Sequence, residues 1–280
     1  MLSVSFLVDS LKKQYGGVAA NVAYNLTLHD EKPALLAAVG QDFDEYRAFM
    51  DERGIDTSAV RVVDGEFTAS AFITSDKDNN QIAGFYPGAM REASGLSLDD
   101  TKGTADLVVI TPDAPEAMAR YPGQCRDRGI PYVFSPGQQI VSLTPEQLMD
   151  GVKGARCLIG NDYEMELIAS KTGTTMDDLL DLADVVITTY GEQGSAISDG
   201  GTRVEIPAAS TSEVVDPTGA GDAYLAGVAL GLLRGEAPER YGRIASLTAA
   251  HAVEHYGTQR HTFDADGFAK RYAETFGQTL

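Results

Sequence analysis

"VVDPTGAGDAYLAGVALGLL" runs from Val214 to Leu233. An apolar pair leads into Asp216 and Pro217, then Thr218, Gly219, Ala220 and Gly221, a second acid at Asp222, and a long apolar run. The pattern predicts a strand ending near Val215, a glycine-rich turn, and a helix starting near Gly219. Such a helix start is an anion site, because its first backbone N–H groups have no intrahelical partner and point outward. Gly219 and Gly221 let the backbone approach a ligand with no Cβ in the way. Asp222, in the first turn, is placed to take a proton from a hydroxyl nucleophile while the turn stabilises charge on a phosphoryl group. An N-capping acid on a tightly packed helix accounts for the same spacing equally well. The run is not a Walker A loop, since no Lys-Ser/Thr follows the glycines, and it does not fit the G-x-G-x-x-G pattern.

Outward from this turn, strands and helices alternate from about Asp106. "ADLVVITP" (Ala105–Pro112) reads as a buried strand with a helix through Arg128 after it. "PYVFSPG", "ARCLIGND" and "DVVITTYG" read as further strands, and "SAISDGGTRVEIPA" as a hairpin turning at Asp199–Gly201. This alternation predicts an α/β fold, a mostly parallel central sheet flanked by helices on both faces. The region before residue 100 differs. "VRVVDGEFTASAFITSDKDNNQIAGFYPG" holds three short alternating strands with turns at Asp64–Gly65 and Asp78–Asn80, expected to be antiparallel. Parts of residues 1–15 and 60–90 are expected to form a small β lid over a cleft.

The 280 residues suffice for one large α/β domain. Apolar runs are broken well short of a membrane span and no leader-like segment opens the chain, so a cytoplasmic protein that does not enter membranes is expected. Cys125 and Cys157 are the only cysteines and read as reduced structural thiols. The net charge of −19 argues against a nucleic-acid surface, which needs a basic stripe. Basic residues are mostly Arg, and Asp exceeds Glu. This composition suits either a salt-tolerant host or an ordinary acidic cytosolic protein. An anionic substrate would need local positive potential from helix ends or a metal ion.

"DPTGAGDAYLAGVALGLL" resembles the C-terminal signature of the ribokinase-like (PfkB) carbohydrate and nucleoside kinases. "GGVAANVAYNL" (Gly16–Leu26) resembles that family's N-terminal Gly-Gly motif, and "NDYE" (Asn161–Glu164) its Asn-x-x-Glu motif. The three stand in the family's order, and the resemblance spans nearly the whole chain. "FTASAFITSDKDNNQIAGFYPGAM" and "AVEHYGTQRHTF" look most like the bacterial adenosine kinase branch. The resemblance implies a single ribokinase-like domain over 1–280 and ATP-dependent phosphorylation of a nucleoside 5′-hydroxyl, adenosine to AMP, with ATP and Mg²⁺, and K⁺ in some members.

By resemblance, Asp222 is the catalytic base and Gly219, Ala220 and Gly221 the anion hole. Gly16 and Gly17 are a lid hinge with backbone near the sugar, and Asn21 bonds sugar hydroxyls. Asn161 and Glu164 act near Mg²⁺ through waters, although a helix capping box has the same spacing. Thr189, Gly191 and Gly194 of "TTYGEQGS" line the ATP phosphates and ribose. His251 and Gly257 fall at the adenine pocket, although a lone helix His is more often a packing residue. Asp216 and Thr218 match monovalent-cation positions. Phe85, in "FYPGAM", offers a ring to a purine or packs the lid hinge. The family's first strand, with its sugar-gripping Asp, has no counterpart before Gly16; Asp9 in "VSFLVDS" reads as lid and does not match it. The other readings are a ribose or fructose kinase and a catalytically weak nucleoside- or nucleotide-binding protein. A monomer or homodimer is expected.

Overall fold

The computed structural model describes residues 7–75 and 81–280. Its elements in chain order begin with helix α1 (Val18–Thr27), strand β1 (Ala34–Gly40), helix α2 (Asp44–Asp51) and strands β2 (Asp56–Val63), β3 (Ser70–Ser75) and β4 (Gln81–Tyr86). There follow β5 (Val108–Ile110), α3 (Pro115–Arg128), β6 (Tyr132–Phe134), α4 (Pro145–Val152), β7 (Cys157–Asn161), α5 (Asp162–Thr172), α6 (Met176–Leu180) and β8 (Val186–Thr189). The hairpin β9 (Ser195–Ser198) and β10 (Arg203–Ile206) precedes α7 (Ala220–Arg234), α8 (Pro238–Val253) and α9 (Ala265–Phe276).

The main sheet has the order β10-β9-β8-β7-β6-β5. Strands β5 to β8 are parallel, and β9 and β10 close one side antiparallel. Successive side chains of a strand point to opposite faces, and here each face finds its own core. Tyr132, Phe134, Leu158 and Val186 pack with α3, α4 and α5. Val133, Cys157, Ile159 and Ile187 pack with α1, α7, α8 and α9. A sheet covered on both faces must be apolar throughout, which is why these strands read as continuous hydrophobic runs. Cys125 and Cys157 are buried and unpaired, and burial pushes both thiols up, Cys125 to about 11.

The N-terminal part corrects the expectation in two places. Residues 60–63 belong to β2, which pairs parallel with β1, so only β3 and β4 are antiparallel. Helix α2 crosses between β1 and β2, and Leu35, Val39, Phe43, Met50, Ile55 and Val60 form a third core under it. Residues 7–15 form no strand, and Leu7 and Leu11 are exposed. The expected turn at Asp78–Asn80 lies outside the described residues. A third correction concerns Val214 and Val215. They form no strand and stay largely exposed, in a loop from Pro207 to Gly219 held by Val215 N–H to Val253 O.

The β3–β4 hairpin stands on a clamped base. The Asp42 carboxylate accepts from both the backbone N–H and the hydroxyl of Thr68, and the Thr68 hydroxyl also takes the N–H of Gly40. Ala89 N–H bonds Phe67 O, and the Tyr86 hydroxyl donates to Glu66. A side chain at Gly40 or Gly88 would collide with the backbone at Phe67.

Candidate active site

The candidate site lies at the C-terminal ends of the parallel strands, where open α/β sheets present their loops and helix N-termini. Asn161 ends β7 and starts α5, Thr189 ends β8, and α7 begins just after Gly219. Gly219 is the N-cap of α7 with φ 82°, a left-handed conformation, and no side chain caps this helix start. A Cβ on Gly219 would also stand 2.8 Å from Thr258 Cγ2. Gly221 is different: it is exposed, and a Cβ there would meet nothing within 4 Å. The start of α7 thus offers bare N–H groups with open space beside Gly221.

Asp216 fastens the loop that presents this turn. Its carboxylate accepts the N–H of Thr218 at 2.9 Å and that of Gly257 at 3.0 Å. Burial pushes its pKa up, but the bonds from Thr218 and Gly257 outweigh it and hold the carboxyl below the usual carboxylate range. The structure therefore shows Asp216 and Gly257 as two ends of a clamp between the loops flanking α7 and α8. Gly257 has φ 89°, and a Cβ on it would stand 2.9 Å from Gln14 Oε1.

Asp222 faces Asn21 of α1, whose Nδ2 donates to Asp222 Oδ2 at 2.6 Å. Burial raises the Asp222 pKa, the Asn21 bond lowers it, and the charge of Glu164 raises it; the net direction is up. Behind Asn21 stand two residues the sequence did not single out. Gln259 Nε2 donates to Asn21 Oδ1 at 2.8 Å and to the Tyr46 hydroxyl at 2.6 Å, and Tyr46 donates to Gly16 O at 3.0 Å. Tyr46 also stacks on Tyr15, with ring centroids 4.3 Å apart. Gly17, φ 99°, is the N-cap of α1, and the Thr258 hydroxyl holds Tyr15 O just before the Gly16–Gly17 pair. Asn21 spends its Oδ1 and one N–H inside the protein, so one N–H is left for a ligand.

Asn161 and Glu164 form a complete capping box. Asn161 Oδ1 accepts from Glu164 N at 2.8 Å, and Glu164 Oε2 accepts from Asn161 N at 2.9 Å. The box leaves Glu164 Oε1 unused. It faces Gly137, whose Cβ position would be 3.9 Å away. Among the described residues no group of three or more His, Cys, Asp or Glu is arranged to hold a metal. The donor set fits Mg²⁺ in the manner that ion favours, one or two carboxylates with waters and substrate phosphates supplying the rest; it does not fit a dedicated protein cage.

Thr189 ends β8, and Gly191 has open space around its Cβ position. Gly194 has φ 91°, and a Cβ on it would collide with Ile206 O on β10, so the hairpin itself demands this glycine. His251 belongs to α8 and packs against α9. Its ring is 4.8 Å from that of Phe263 and 5.8 Å from that of Phe268, and burial lowers its pKa to about 4. Its Nδ1 lies 3.4 Å from Arg271 Nη1, and its Nε2 is buried with no hydrogen-bond partner among the described residues. Phe85 projects from β4 and is 62% exposed; cross-strand pairing puts Ala71, Ile73 and Ala83 on its face of the hairpin. Its ring is therefore largely open to solvent.

Comparison with known proteins places this geometry in context. The family model described as pfkB family carbohydrate kinase matches residues 2–264. A nucleoside kinase of Methanothermobacter thermautotrophicus is 35% identical over 281 residues, covering 98% of this chain and 90% of the relative. The structure of Burkholderia thailandensis nucleoside kinase in complex with inosine superposes with a TM-score of 0.95 at 32% identity, covering 99% of this chain and 93% of that one. The same enzyme is known in complex with ADP-inosine, with a TM-score of 0.92. Methanocaldococcus jannaschii nucleoside kinase, an archaeal member of the ribokinase family, superposes with a TM-score of 0.91 at 30% identity, covering 98% and 91% of the two chains. No helix of the described residues is long and apolar enough to cross a membrane.

Proposed function

The chain belongs to the pfkB family of carbohydrate kinases, and from that membership we propose that it transfers the γ-phosphoryl of ATP to the 5′-hydroxyl of a nucleoside, with adenosine as the acceptor to which the sequence points. The observation that carries this reading is the pairing of Asp222, half-buried and bonded to Asn21, with the uncapped start of α7. Asp222 takes the proton of the attacking hydroxyl. Burial raises its pKa and so makes it a better proton acceptor than an exposed carboxylate. The N–H groups beside Gly221 stabilise charge on the transferring phosphoryl oxygens without reorganising. Glu164, with Asn161, would hold Mg²⁺, and that ion when bound would neutralise phosphate charge. Residues 191–194 line the nucleotide. The β3–β4 hairpin is the lid, and excluding water over the site strengthens each of these interactions.

The nucleoside acceptor is supported by the names of the relatives and by the exposed apolar face around Phe85, on which a base can stack and a bare sugar cannot. The inosine held by the Burkholderia enzyme favours a second reading, in which a 6-oxo purine is the better acceptor. A panel of adenosine, inosine, cytidine, ribose and fructose, scored by kcat/KM, decides among these. Asp222→Asn in the same assay should lower kcat by roughly 10²–10⁴-fold with ATP binding retained. A near wild-type rate for this variant would remove Asp222 from the role of base. Preference for ribose or fructose would make the chain a sugar kinase. Absence of transfer to every acceptor, with nucleotide bound, would favour a binding protein.

A further inference from the structure

An amide has a donor end and an acceptor end of nearly the same shape, so something must decide which end of Asn21 meets Asp222. With Nδ2 toward Asp222 the pair is a hydrogen bond; with Oδ1 there, two oxygens repel. We infer that Gln259, backed by Tyr46, is a positioning residue for the base, and that it fixes the Asn21 amide with its N–H toward Asp222. The inference rests on the reading of Asp222 as base.

The direction follows from counting protons along the chain of bonds. Gly16 O can only accept, so the Tyr46 hydroxyl spends its one proton there, at 3.0 Å. The Tyr46 oxygen can then only accept from Gln259, at 2.6 Å, which requires the Nε2 end of the Gln259 amide at that point. The second Nε2 proton goes to Asn21 at 2.8 Å, which makes the facing Asn21 atom Oδ1 and turns Nδ2 to Asp222. Flipping Gln259 would set its Oε1 against Asn21 Oδ1. The polarity is thus anchored by one main-chain carbonyl and propagates through three side chains to the carboxylate.

Two further observations support it. Gln259 and Asn21 are 5% and 4% exposed, so bulk water cannot restore a misdirected bond. Gln259 Oε1 is buried without a partner. A buried amide left half-satisfied is costly, so its orientation is not set by its own needs; the bonds to Tyr46 and Asn21 set it. Burial holds the Tyr46 phenol protonated. The charged group that acts on Asp222 is Glu164, and the Gln259 chain reaches Asp222 through Asn21 of α1, with Tyr46 of α2 behind it.

The test is Gln259→Met, close in volume but without donors, with Tyr46→Phe as the second variant. Gln259→Met should lower kcat about tenfold, the size of a lost bond to a charged group, and leave the KM for ATP within about twofold of wild type. The acid limb of its kcat/KM profile should move to higher pH by roughly half to one unit, because the ionised carboxylate loses a donor. Tyr46→Phe keeps the Gln259–Asn21 bond and should move the limb the same way by less. An acid limb at the wild-type position in both variants, whether or not their melting temperatures fall, would overturn the inference. If Gln259→Met does not fold, an unmoved limb in Tyr46→Phe overturns it alone. Failure of the base reading shows separately, as activity retained in Asp222→Asn.

Discussion

Gly219 and Gly221 belong to one turn, yet replacing each by Ala should have opposite consequences. Gly219→Ala puts a Cβ at φ 82° and 2.8 Å from Thr258 Cγ2. A left-handed conformation costs a non-glycine residue about 1–2 kcal/mol, and relieving the contact adds to this, so a loss of about 2–3 kcal/mol is expected. For a chain of this size that lowers Tm by about 4–8 °C. Gly221→Ala meets no atom within 4 Å and lies inside helix α7, where Ala is favoured over Gly by about 0.8–1 kcal/mol. This variant should melt about 2–3 °C higher. Its methyl nevertheless occupies the open space where backbone N–H groups would meet a phosphoryl group. One such interaction is worth about 10²–10³ in kcat, so Gly221→Ala should be more stable and at least tenfold slower. Thermal unfolding and an ADP-release assay on both variants decide the matter. A stabilised Gly221→Ala with undiminished kcat would refute the anion-hole assignment, and a neutral Gly219→Ala would refute the backbone argument.

Glu164→Gln keeps an acceptor for the Asn161 N–H, so Tm should hold while the Mg²⁺ concentration for half-maximal rate rises several-fold; an unchanged Mg²⁺ titration would leave the capping box as the residue's whole role. Burial raises Asp113 to about 6 against only one N–H bond, from Ala114, so its ionised form costs stability above that pH. Asp113→Asn should therefore gain about 1–2 kcal/mol at pH 8 and nothing near pH 4, read from chemical denaturation at the two pH values. His29, His251 and His261 are each lowered to about 4 by burial. The unfolded chain takes up these protons first, so stability should be full above pH 6.5 and fall toward pH 4, by up to about 3 kcal/mol per histidine; a flat stability profile between those values would contradict the burial argument.

The parts legible in the sequence are those whose signal is local. The turn at Gly219, the hairpin at Asp199–Gly201 and the capping box at Asn161–Glu164 each announce themselves within a few residues, and the structure forms all three. The alternation after residue 105 reads correctly because strands buried on both faces are uniformly apolar. The misreadings come from segments whose state depends on distant neighbours. "ALLAAVG" (Ala34–Gly40) received no assignment from the sequence: it is rich in Ala, a helix former, and forms a strand paired with β2. Val214 and Val215 look like a strand end, yet the backbone N–H groups of Val215 and Asp216 bond Val253 O at the end of α8 instead of a neighbouring strand. Gln259 and Tyr46 were invisible for the same reason: the bonds that give them meaning span 238 and 213 positions.

The composition posed a difficulty that the site answers. A chain of net charge −19 repels a polyanionic nucleotide, and the residues grouped around Asp222 do not counter this with basic side chains: Asn21, Gln259 and Tyr46 are neutral, and Glu164 is acidic. Positive potential comes instead from the backbone, through an uncapped helix start kept bare by two glycines and held in place by the Asp216 clamp. Backbone dipoles are fixed, short-ranged and insensitive to the overall charge. A Lys or Arg beside Asp222 would stabilise its ionised form and depress its pKa, weakening it as a base. Leaving the anion to the main chain keeps the carboxylate among neutral donors and one like charge, the surroundings that raise its proton affinity. On the proposed reading the glycines and the carboxylate of "GAGD" act as one device: the bare helix start meets phosphate beside Asp222 without a Lys or Arg there, and with Asn21 and Glu164 as its neighbours the carboxylate keeps a raised proton affinity.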